Sequence, residues 1–269
     1  MSATPAELLD IALTIASEAG ELVARRRREG VTVAATKSSS IDVVTLADRE
    51  CEEFVKARLE QLRPEDGFYG EEGGDSTGST GITWVVDPID GTVNYLYGIP
   101  QYAVSIAAVQ GSADPATWTQ LVGVVNNPTI GEVYYASAGG GAFRRAGGVD
   151  TALHVNEEKQ LAHSLIATGF GYSSDVRAQQ AERLTHILPN VRDIRRAGAA
   201  SLDLCAVAAG QLDGYFESGT KPWDHGARSL IAREAGAVVG GLNGAKEGTD
   251  MLIATNAHLY EEIEKLLLK

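Results

Sequence analysis

Apolar residues in the first part of the chain recur every three or four positions, which is the period of an amphipathic α-helix. Thr4, Pro5 and Glu7 precede this pattern and form a capping box with proline at the first helical position. Together they predict a helix that is capped by Thr4, has Pro5 at its first position and ends near Gly30. Its apolar positions are Leu8, Ile11, Ile15, Ala19 and Leu22.

The next segments alternate between one more helix and a series of short apolar runs. Thr45, with Asp48 three residues later, predicts a second helix that ends before Pro64. A polar, glycine-rich loop is expected over residues 73–81. Apolar runs bounded by turn residues then predict a meander of strands at residues 82–86, 103–109, 121–125, 132–136 and 142–145.

After residue 164 the pattern changes to strands alternating with helices. Strands are predicted at residues 165–168, 212–216 and 251–255, and helices at residues 175–188, 199–209, 226–235 and 256–268. This change predicts a lobe at residues 1–155, with helices and an antiparallel sheet, and an α/β lobe at residues 156–269. Without a low-complexity linker, the two lobes are expected to form one compact unit that shares a cleft.

Composition and charge narrow the class of protein. The 269 residues are 44% hydrophobic, which is enough for a sizeable core. The sequence has no run of eighteen apolar residues and no secretory leader, so a cytoplasmic enzyme without a membrane partner is expected. With 23 basic and 36 acidic side chains, the net charge of −13 argues against a nucleic-acid partner. Cys51 and Cys205 are expected to be buried, reduced thiols.

Two carboxylates, Asp87 and Asp90, stand at the end of the predicted strand in the sequence WVVDPIDGTVNYLYGIP (residues 84–100). Like charges at the edge of a core are unfavourable unless a cation lies between them. Oxygen ligands of this kind select Mg²⁺, Mn²⁺ or Ca²⁺. Aspartate, proline and glycine are also common turn residues, so the segment alone supports a turn and a metal site equally. Asp48 as a helix-start acid and Asp224 as a helix N-cap are similar structural alternatives.

Several other enzyme classes find no support in the sequence. Histidine pairs with zinc spacing, HExxH and a cysteine cluster do not occur, and neither does the GxxxxGK[ST] motif of nucleotide triphosphatases. Asp87 and Asp90 are also one residue too far apart for the nucleophile pair of aspartyl-phosphate phosphatases.

Taken together, the motifs resemble those of the inositol monophosphatase family, which belongs to a superfamily of metal-dependent, lithium-sensitive sugar-phosphate phosphatases. Residues 87–95 read DPIDGTVNY and are similar to the signature DPxDGTxNF. Residues 221–227 read KPWDHGA and residues 234–236 read EAG, similar to WDxAAG and EAGG. Gly70-Glu71-Glu72, and Lys37 with Asp48, resemble the upstream elements, so the resemblance spans essentially the whole chain.

The resemblance implies an α+β fold, a layered αβαβα sandwich of the inositol monophosphatase and fructose-1,6-bisphosphatase type, commonly a homodimer. It implies two or three Mg²⁺ per subunit, with Mn²⁺ as a possible substitute. The implied metal ligands are Glu71, Asp87, the Ile89 carbonyl, Asp90 and Asp224. The implied catalytic residues are Glu71, Thr92, Asp48 and Lys37. The implied substrate-binding residues are Asp90, Gly91, Thr92, Gly198, Ala200, Glu217 and Asp224.

Two positions near the second signature depart from the family pattern or invite another role. Arg228 stands where the family usually has glycine; an outward-facing helix residue is the expectation, and the alternative is that it reaches the cleft or a dimer contact. His225 is interpreted as a polar residue of the helix start rather than a ligand.

The function expected from the resemblance is a Mg²⁺-dependent phosphomonoesterase that hydrolyses inositol monophosphate or a related polyol or sugar phosphate by attack of metal-activated water. Histidinol phosphate, fructose-1,6-bisphosphate and 3′-phosphoadenosine-5′-phosphate are alternative substrates within the same fold. A non-catalytic regulatory or scaffold member is the alternative from another class.

Overall fold

The computed structural model of the chain describes residues 3–37 and 43–269. The described residues form seven α-helices: α1 (Pro5–Glu29), α2 (Leu46–Leu62), α3 (Thr92–Tyr97), α4 (Ser174–Ile187), α5 (Ala200–Ala208), α6 (Pro222–Glu234) and α7 (Tyr260–Leu267). None of these helices is both long and apolar enough to span a membrane.

The strands of the described chain belong to three sheets. A small antiparallel pair consists of β1 (Val33–Thr36) and β2 (Val43–Thr45). The largest sheet has the order β3-β4-β5-β6-β7-β8-β9, antiparallel except for the parallel pair β3-β4. Its strands are β3 (Gly67–Gly70), β4 (Ile82–Asp90), β5 (Ala103–Gln110), β6 (Thr119–Asn127), β7 (Glu132–Ser137), β8 (Gly141–Ala146) and β9 (Val149–Ala152).

A third, mixed sheet has the order β11-β10-β12-β14-β13. It contains β10 (Leu165–Thr168), β11 (Asp193–Arg195), β12 (Gly214–Glu217), β13 (Val238–Gly240) and β14 (Leu252–Thr255). Along the chain, β9 is the last strand of the largest sheet and β10 is the first strand of the mixed sheet. The division into two lobes near residue 155 stays a prediction.

The helices and sheets stack as the predicted αβαβα sandwich. Helices α1 and α2 pack on one face of the largest sheet, and α5 and α6 pack on its other face. Helices α5 and α6 also contact the mixed sheet, whose far side is covered by α4 and α7. Because the layer of α5 and α6 is apolar on both sides, it joins the two sheets into one body.

Local hydrogen bonds explain where the first helix begins. Thr4 Oγ1 accepts from Glu7 N at 3.3 Å, while Glu7 Oε2 accepts from Thr4 N at 2.8 Å, which is the predicted capping box. The helix ends at Gly30, whose φ of 117° is unfavourable for other residues. The predicted limits of α1 are therefore confirmed.

Two helices begin elsewhere than predicted. Helix α6 starts at Pro222 rather than at residue 226, and Asp224 occupies its third position, where Oδ2 accepts from Lys221 N at 2.6 Å. Asp224 is therefore not the N-cap. Helix α7 starts at Tyr260 rather than at residue 256, because Asn256 Oδ1 accepts from His258 N at 2.9 Å and holds a turn.

Strand β4 extends through the whole acidic motif instead of ending at Val86. Its pairing with β5 shifts register between Asp87 and Asp90: Asp87 pairs with Ser105 and Asp90 with Ala103. Three steps along β4 thus match two along β5, which is a β-bulge. Strands β1, β2, β3, β9, β11 and β13 and helix α3 were not predicted, since each is short and lacks a clear apolar period.

The two cysteines are both buried and free, as predicted. Cys51 lies in α2 and Cys205 in α5, each with no side-chain exposure. They serve as small apolar core residues.

Candidate active site

Three carboxylates from two distant parts of the chain meet at one edge of the sandwich. Asp87, Asp90 and Asp224 each offer an oxygen atom, and these atoms lie within 4.8 Å of one another. In a regular strand, residues three apart face opposite sides, so the bulge in β4 is what allows Asp87 and Asp90 to approach each other. The first turn of α6 supplies Asp224.

Glu71 follows β3 and lies beside this cluster. Its backbone N–H donates to Val86 O at 3.2 Å, which keeps Glu71 next to β4. Lys37 Nζ contacts Glu71 Oε1 at 2.8 Å and Glu72 Oε1 at 2.6 Å. Glu52 Oε2 accepts from Glu72 N at 2.7 Å and fixes the turn that carries both glutamates. Lys37 is therefore a counter-charge to Glu71.

Asp48 and Thr92 form a partly buried hydrogen-bonded pair, in which Thr92 lines the cleft and Asp48 is buried behind it. Thr92 Oγ1 lies 3.2 Å from Asp48 Oδ1 and 3.1 Å from the Ile89 carbonyl oxygen, either of which can accept its proton. The other oxygen of Asp48 accepts from Thr45 N at 2.8 Å and from Thr45 Oγ1. Asp48 is thus both the helix-start acid of α2 and the partner of Thr92. The two interpretations of Asp48 are compatible.

Burial raises the proton affinity of these acids. Desolvation raises the pKa of Glu71 to about 7, against the opposing effect of Lys37. Desolvation likewise raises the pKa of Asp48 to about 6, and it raises the pKa of Asp87 well above its usual range with help from Glu71 and Asp90. Negative charge at these buried positions is therefore costly, and a bound cation would offset that cost.

The residues present fit a divalent cation. Asp87 is only 3% exposed, and among the described residues its Oδ1 is buried without a hydrogen-bond partner. A charged carboxylate oxygen in that state is unfavourable, and a cation would stabilise it. The three converging side chains offer oxygen alone, which is the donor set of Mg²⁺ and Mn²⁺. The cluster can therefore hold a metal ion.

A cleft of about 550 Å³ opens beside the carboxylates. Of the predicted site residues, all of which the structure describes, Asp48 alone is absent from its wall and instead lies behind Thr92. The predicted residues that line the cleft are Lys37, Glu71, Asp87, Ile89, Asp90, Gly91, Thr92, Gly198, Ala200, Glu217 and Asp224. The structure therefore brings together segments that are far apart in the chain.

Two further acids, Glu217 and Asp203, line the cleft. Glu217 accepts a hydrogen bond from Tyr215 Oη, and burial raises its pKa to about 7. Asp203 lies nearby in α5, where burial, Asp90 and Glu217 raise its pKa to about 8. A carboxyl group that is partly protonated near neutral pH can donate as well as accept a hydrogen bond.

The sequence reasoning missed several residues in or beside the cleft. Ser201 donates from its backbone N–H at 2.6 Å and from its hydroxyl to Asp90 Oδ2, so the start of α5 orients that carboxylate. Asp203, Phe170 and Arg196 line the cleft wall itself. A serine and an acid in the first turn of a predicted helix were the available signal for Ser201 and Asp203. No local pattern distinguishes Phe170 or Arg196.

The expectation that Arg228 faces outward is wrong. Its side chain is 1% exposed, and its Nη1 lies 3.9 Å from Asp224 Oδ1. It occupies α6 one turn after Asp224, on the helix face that packs inside the sandwich. His225 is a polar residue of the first turn, as predicted; its Nε2 lies 3.0 Å from Thr220 Oγ1, and burial lowers its pKa to about 3.

Comparison with known proteins agrees with this geometry. A model of the inositol monophosphatase family matches residues 4–268. The chain belongs to the inositol monophosphatase family. The predicted family, its fold and the phosphatase class are thereby confirmed.

Relatives of this family member have been given two kinds of name. The inositol-1-monophosphatase of Mycobacterium bovis is 45% identical over 249 residues, which cover 87% of this chain and 84% of the relative. A protein of Pasteurella multocida called Nus factor SuhB is 35% identical over 261 residues, covering 95% and 94% of the two chains. The crystal structure of extragenic suppressor protein suhB from Bartonella henselae has a TM-score of 0.88 and 33% identity, with 98% and 99% of the two chains covered.

Proposed function

We propose that this family member is a Mg²⁺-dependent phosphomonoesterase that hydrolyses inositol monophosphate or a related polyol or sugar phosphate. The observation that carries the proposal is the convergence of Asp87, Asp90 and Asp224 within 4.8 Å at the mouth of the cleft. A dianionic phosphate would otherwise be repelled by these charges, so a bound cation is required for it to enter.

We assign the metal ligands to Glu71, Asp87, the Ile89 carbonyl, Asp90 and Asp224, with two or three Mg²⁺ per subunit and Mn²⁺ as a possible substitute. When bound, Mg²⁺ would lower the pKa of coordinated water and neutralise the charge that develops on phosphoryl oxygens. The hard oxygen donors and the unpartnered Asp87 Oδ1 support this assignment.

The remaining residues of the site position the water and the phosphate ester. Because the Thr92 hydroxyl can donate to Asp48 Oδ1 at 3.2 Å, its oxygen is free to accept a hydrogen bond from the attacking water and orient it. Glu71 would receive a hydrogen bond from the same water, and Lys37 holds that carboxylate in place at 2.8 Å. The N–H groups of Gly91 and Thr92 would donate to phosphate oxygens.

The alcohol part of the substrate would occupy the opposite wall. Glu217, with Asp90 and Asp224, would bind hydroxyl groups, and Gly198 and Ala200 leave room beside them. Gly198 has a φ of 92°, and a side chain there would also meet Asn94 Nδ2 at 2.9 Å. A glycine at this position therefore keeps the wall open.

Phosphate release from a panel of substrates tests the proposal. The panel contains inositol monophosphates, histidinol phosphate, fructose-1,6-bisphosphate and 3′-phosphoadenosine-5′-phosphate, each with and without Mg²⁺. We expect Mg²⁺-dependent turnover that Asp90→Asn reduces by at least about a hundred-fold, since a charged metal ligand is lost. The exposed Asp250 provides the matched control, and Asp250→Asn should retain full activity. Metal-independent turnover, or full activity of Asp90→Asn, would contradict the proposal.

A non-catalytic regulatory role is the second candidate, because the Pasteurella multocida relative is called Nus factor SuhB. A member that had lost catalysis would be expected to lack at least one metal carboxylate. Glu71, Asp87, Asp90 and Asp224 are all present, with Thr92 beside them, which supports the enzyme. Absence of turnover on the whole panel, with Mg²⁺ binding intact, would favour the regulatory role.

We also propose that the protein is a lithium-sensitive, cytoplasmic homodimer. Exposed apolar side chains support self-association: Tyr97 is 76% exposed and Ile130 is 60% exposed. The segment that follows Tyr97 is joined to the turn of Ile130 by Thr129 Oγ1, which donates to Pro100 O at 2.9 Å. Sedimentation of the wild type and of Ile130→Glu tests this surface: a dimer that the variant converts to a monomer is expected, and an unchanged mass would exclude the surface. Inhibition of phosphate release by Li⁺ tests the sensitivity.

A further inference from the structure

Arg228 is a buried cation to which the proposed mechanism assigns no role. Its side chain is 1% exposed, and among the described residues Nε, Nη1 and Nη2 have no hydrogen-bond partner. An arginine buried in that way is strongly unfavourable unless nearby charge compensates it. The compensation must come from the groups around it.

The surroundings of Arg228 are acidic and belong to several elements of the fold. Its Nη1 lies 3.9 Å from Asp224 Oδ1, and its Cζ lies 6.0 Å from the centre of the Tyr215 ring. Arg228 is not part of the cleft wall, so it lies behind the carboxylates and cannot touch a substrate in the cleft. The groups that interact with its charge are Asp90 of β4, Asp203 and Cys205 of α5, Tyr215 and Glu217 of β12, and Asp224 and His225 of α6.

We propose that Arg228 is a positioning residue that serves as a fixed counter-charge to the metal carboxylates. It holds Asp90 and Asp224 together when no metal is bound, and it weakens Mg²⁺ binding by repelling the ion. This inference rests on the proposed metal site and concerns how tightly that site binds its ion. A site with such a cation behind it folds without metal and exchanges its metal readily.

The direction of both effects follows from Coulomb's law. The guanidinium remains charged at any pH at which the protein is folded, so its attraction for the carboxylates is permanent. A divalent cation at the same carboxylates is repelled by it. Removal of one unit charge beside a buried ligand of a divalent ion should change the affinity by about ten-fold or more. The metal-free protein should at the same time lose stability, because the carboxylates then repel one another without compensation.

Titration of Mg²⁺ into metal-free protein by calorimetry tests the inference, together with thermal unfolding in EDTA. Arg228→Met removes the charge and retains a side chain of similar length, while Arg228→Lys retains the charge. Arg233→Met is the matched control on the same helix: Arg233 Nη1 donates to Gln120 Oε1 at 2.6 Å and its Nη2 pairs with Glu247, away from the cleft.

We expect Arg228→Met to bind Mg²⁺ about ten-fold more tightly than the wild type and to unfold at a lower temperature in EDTA. Arg228→Lys should stay within about three-fold of the wild-type dissociation constant, since it retains the charge. Arg233→Met should lower the unfolding temperature without changing the dissociation constant. If Arg228→Met folds only when Mg²⁺ is added, that result also supports the inference.

Three results would overturn it. One is an unchanged or weaker Mg²⁺ affinity of Arg228→Met, and another is the same affinity gain in Arg228→Lys. The last is an Arg228→Met protein that stays unfolded at saturating Mg²⁺. Arg228 would then stabilise the fold through packing rather than through its charge. Failure of the proposed function is distinguishable: a wild-type protein that binds no Mg²⁺ contradicts the metal site itself, whatever the variants do.

Discussion

Asp87→Asn should stabilise the metal-free protein and remove the proposed Mg²⁺-dependent activity. Asp87 is 3% exposed, and its carboxyl oxygen lies within 4.8 Å of those of Asp90 and Asp224. At an effective dielectric constant of 20, two unit charges at 4.8 Å repel by about 3 kcal/mol. Replacement of one of them by a neutral amide of nearly the same shape removes this repulsion.

Protonation sets an upper limit to the gain. Folding raises the pKa of Asp87, so at low pH the carboxyl is already neutral in the folded protein and the substitution changes little. At about pH 8, protonation of an aspartate costs about 6 kcal/mol. If the repulsion in the folded protein exceeded this cost, Asp87 would bind a proton instead, so the repulsion is at most about 6 kcal/mol. The gain at that pH should therefore be about 2–4 kcal/mol after allowance for imperfect hydrogen bonding of the amide.

Thermal unfolding in EDTA measures this gain. A gain of about 2–4 kcal/mol corresponds to an increase in Tm of about 5–10 °C for a chain of this length. The difference should disappear near pH 4, and it should reverse at saturating Mg²⁺, which stabilises the wild type alone. Asp250→Asn, at an exposed site, should leave Tm unchanged under all three conditions. A Tm of Asp87→Asn at or below that of the wild type in EDTA at about pH 8 would refute the reasoning.

Packing and pH provide further predictions. A methyl group at Gly123 would lie 2.7 Å from Ala227 Cα, so Gly123→Ala should separate β6 from α6, destabilise the fold by about 2 kcal/mol and weaken Mg²⁺ binding. Gly248→Ala, where a methyl group meets nothing within 4 Å, is the control. If the two variants have equal Tm values in an unfolding scan, Gly123 is not closely packed against α6. The raised pKa values of Glu71 and Glu217, both about 7, mean that the folded metal-free protein holds more protons than the unfolded chain between about pH 4.5 and 7. Its stability should therefore fall as pH rises through that window, and urea unfolding in EDTA that instead shows rising stability would exclude this assignment.

Elements with a local cause were predictable from the sequence. Thr4 and Glu7 start α1 through bonds to each other's backbone, and Gly30 ends it through a positive φ. The start of α7 was misplaced because the side chain of Asn256 forms a turn that competes with the helix. Short strands such as β11 and β13 have no period of their own and exist because neighbouring strands pair with them.

In the site, the identities of most residues were predictable from the sequence, whereas their positions relative to one another were not. The predicted site residues other than Asp48 line the cleft, although they come from segments that are far apart in the chain. Arg228 was misjudged, because exposure is the usual state of arginine and a single sequence does not show which acids will surround it. The β-bulge between Asp87 and Asp90 was also not predictable, since it depends on the register of β5.

The sequence by itself determined the family, the oxygen-rich chemistry and the main helices, because capping, apolar period and motif spacing depend on neighbouring residues. The tertiary structure alone decided which charges meet. Asp224 reaches Asp87 through the packing of α6 on the largest sheet, and Ser201 reaches Asp90 through the start of α5. Electrostatic energy depends on distance in space, so the strength of the metal site and the role of Arg228 are properties of the folded chain.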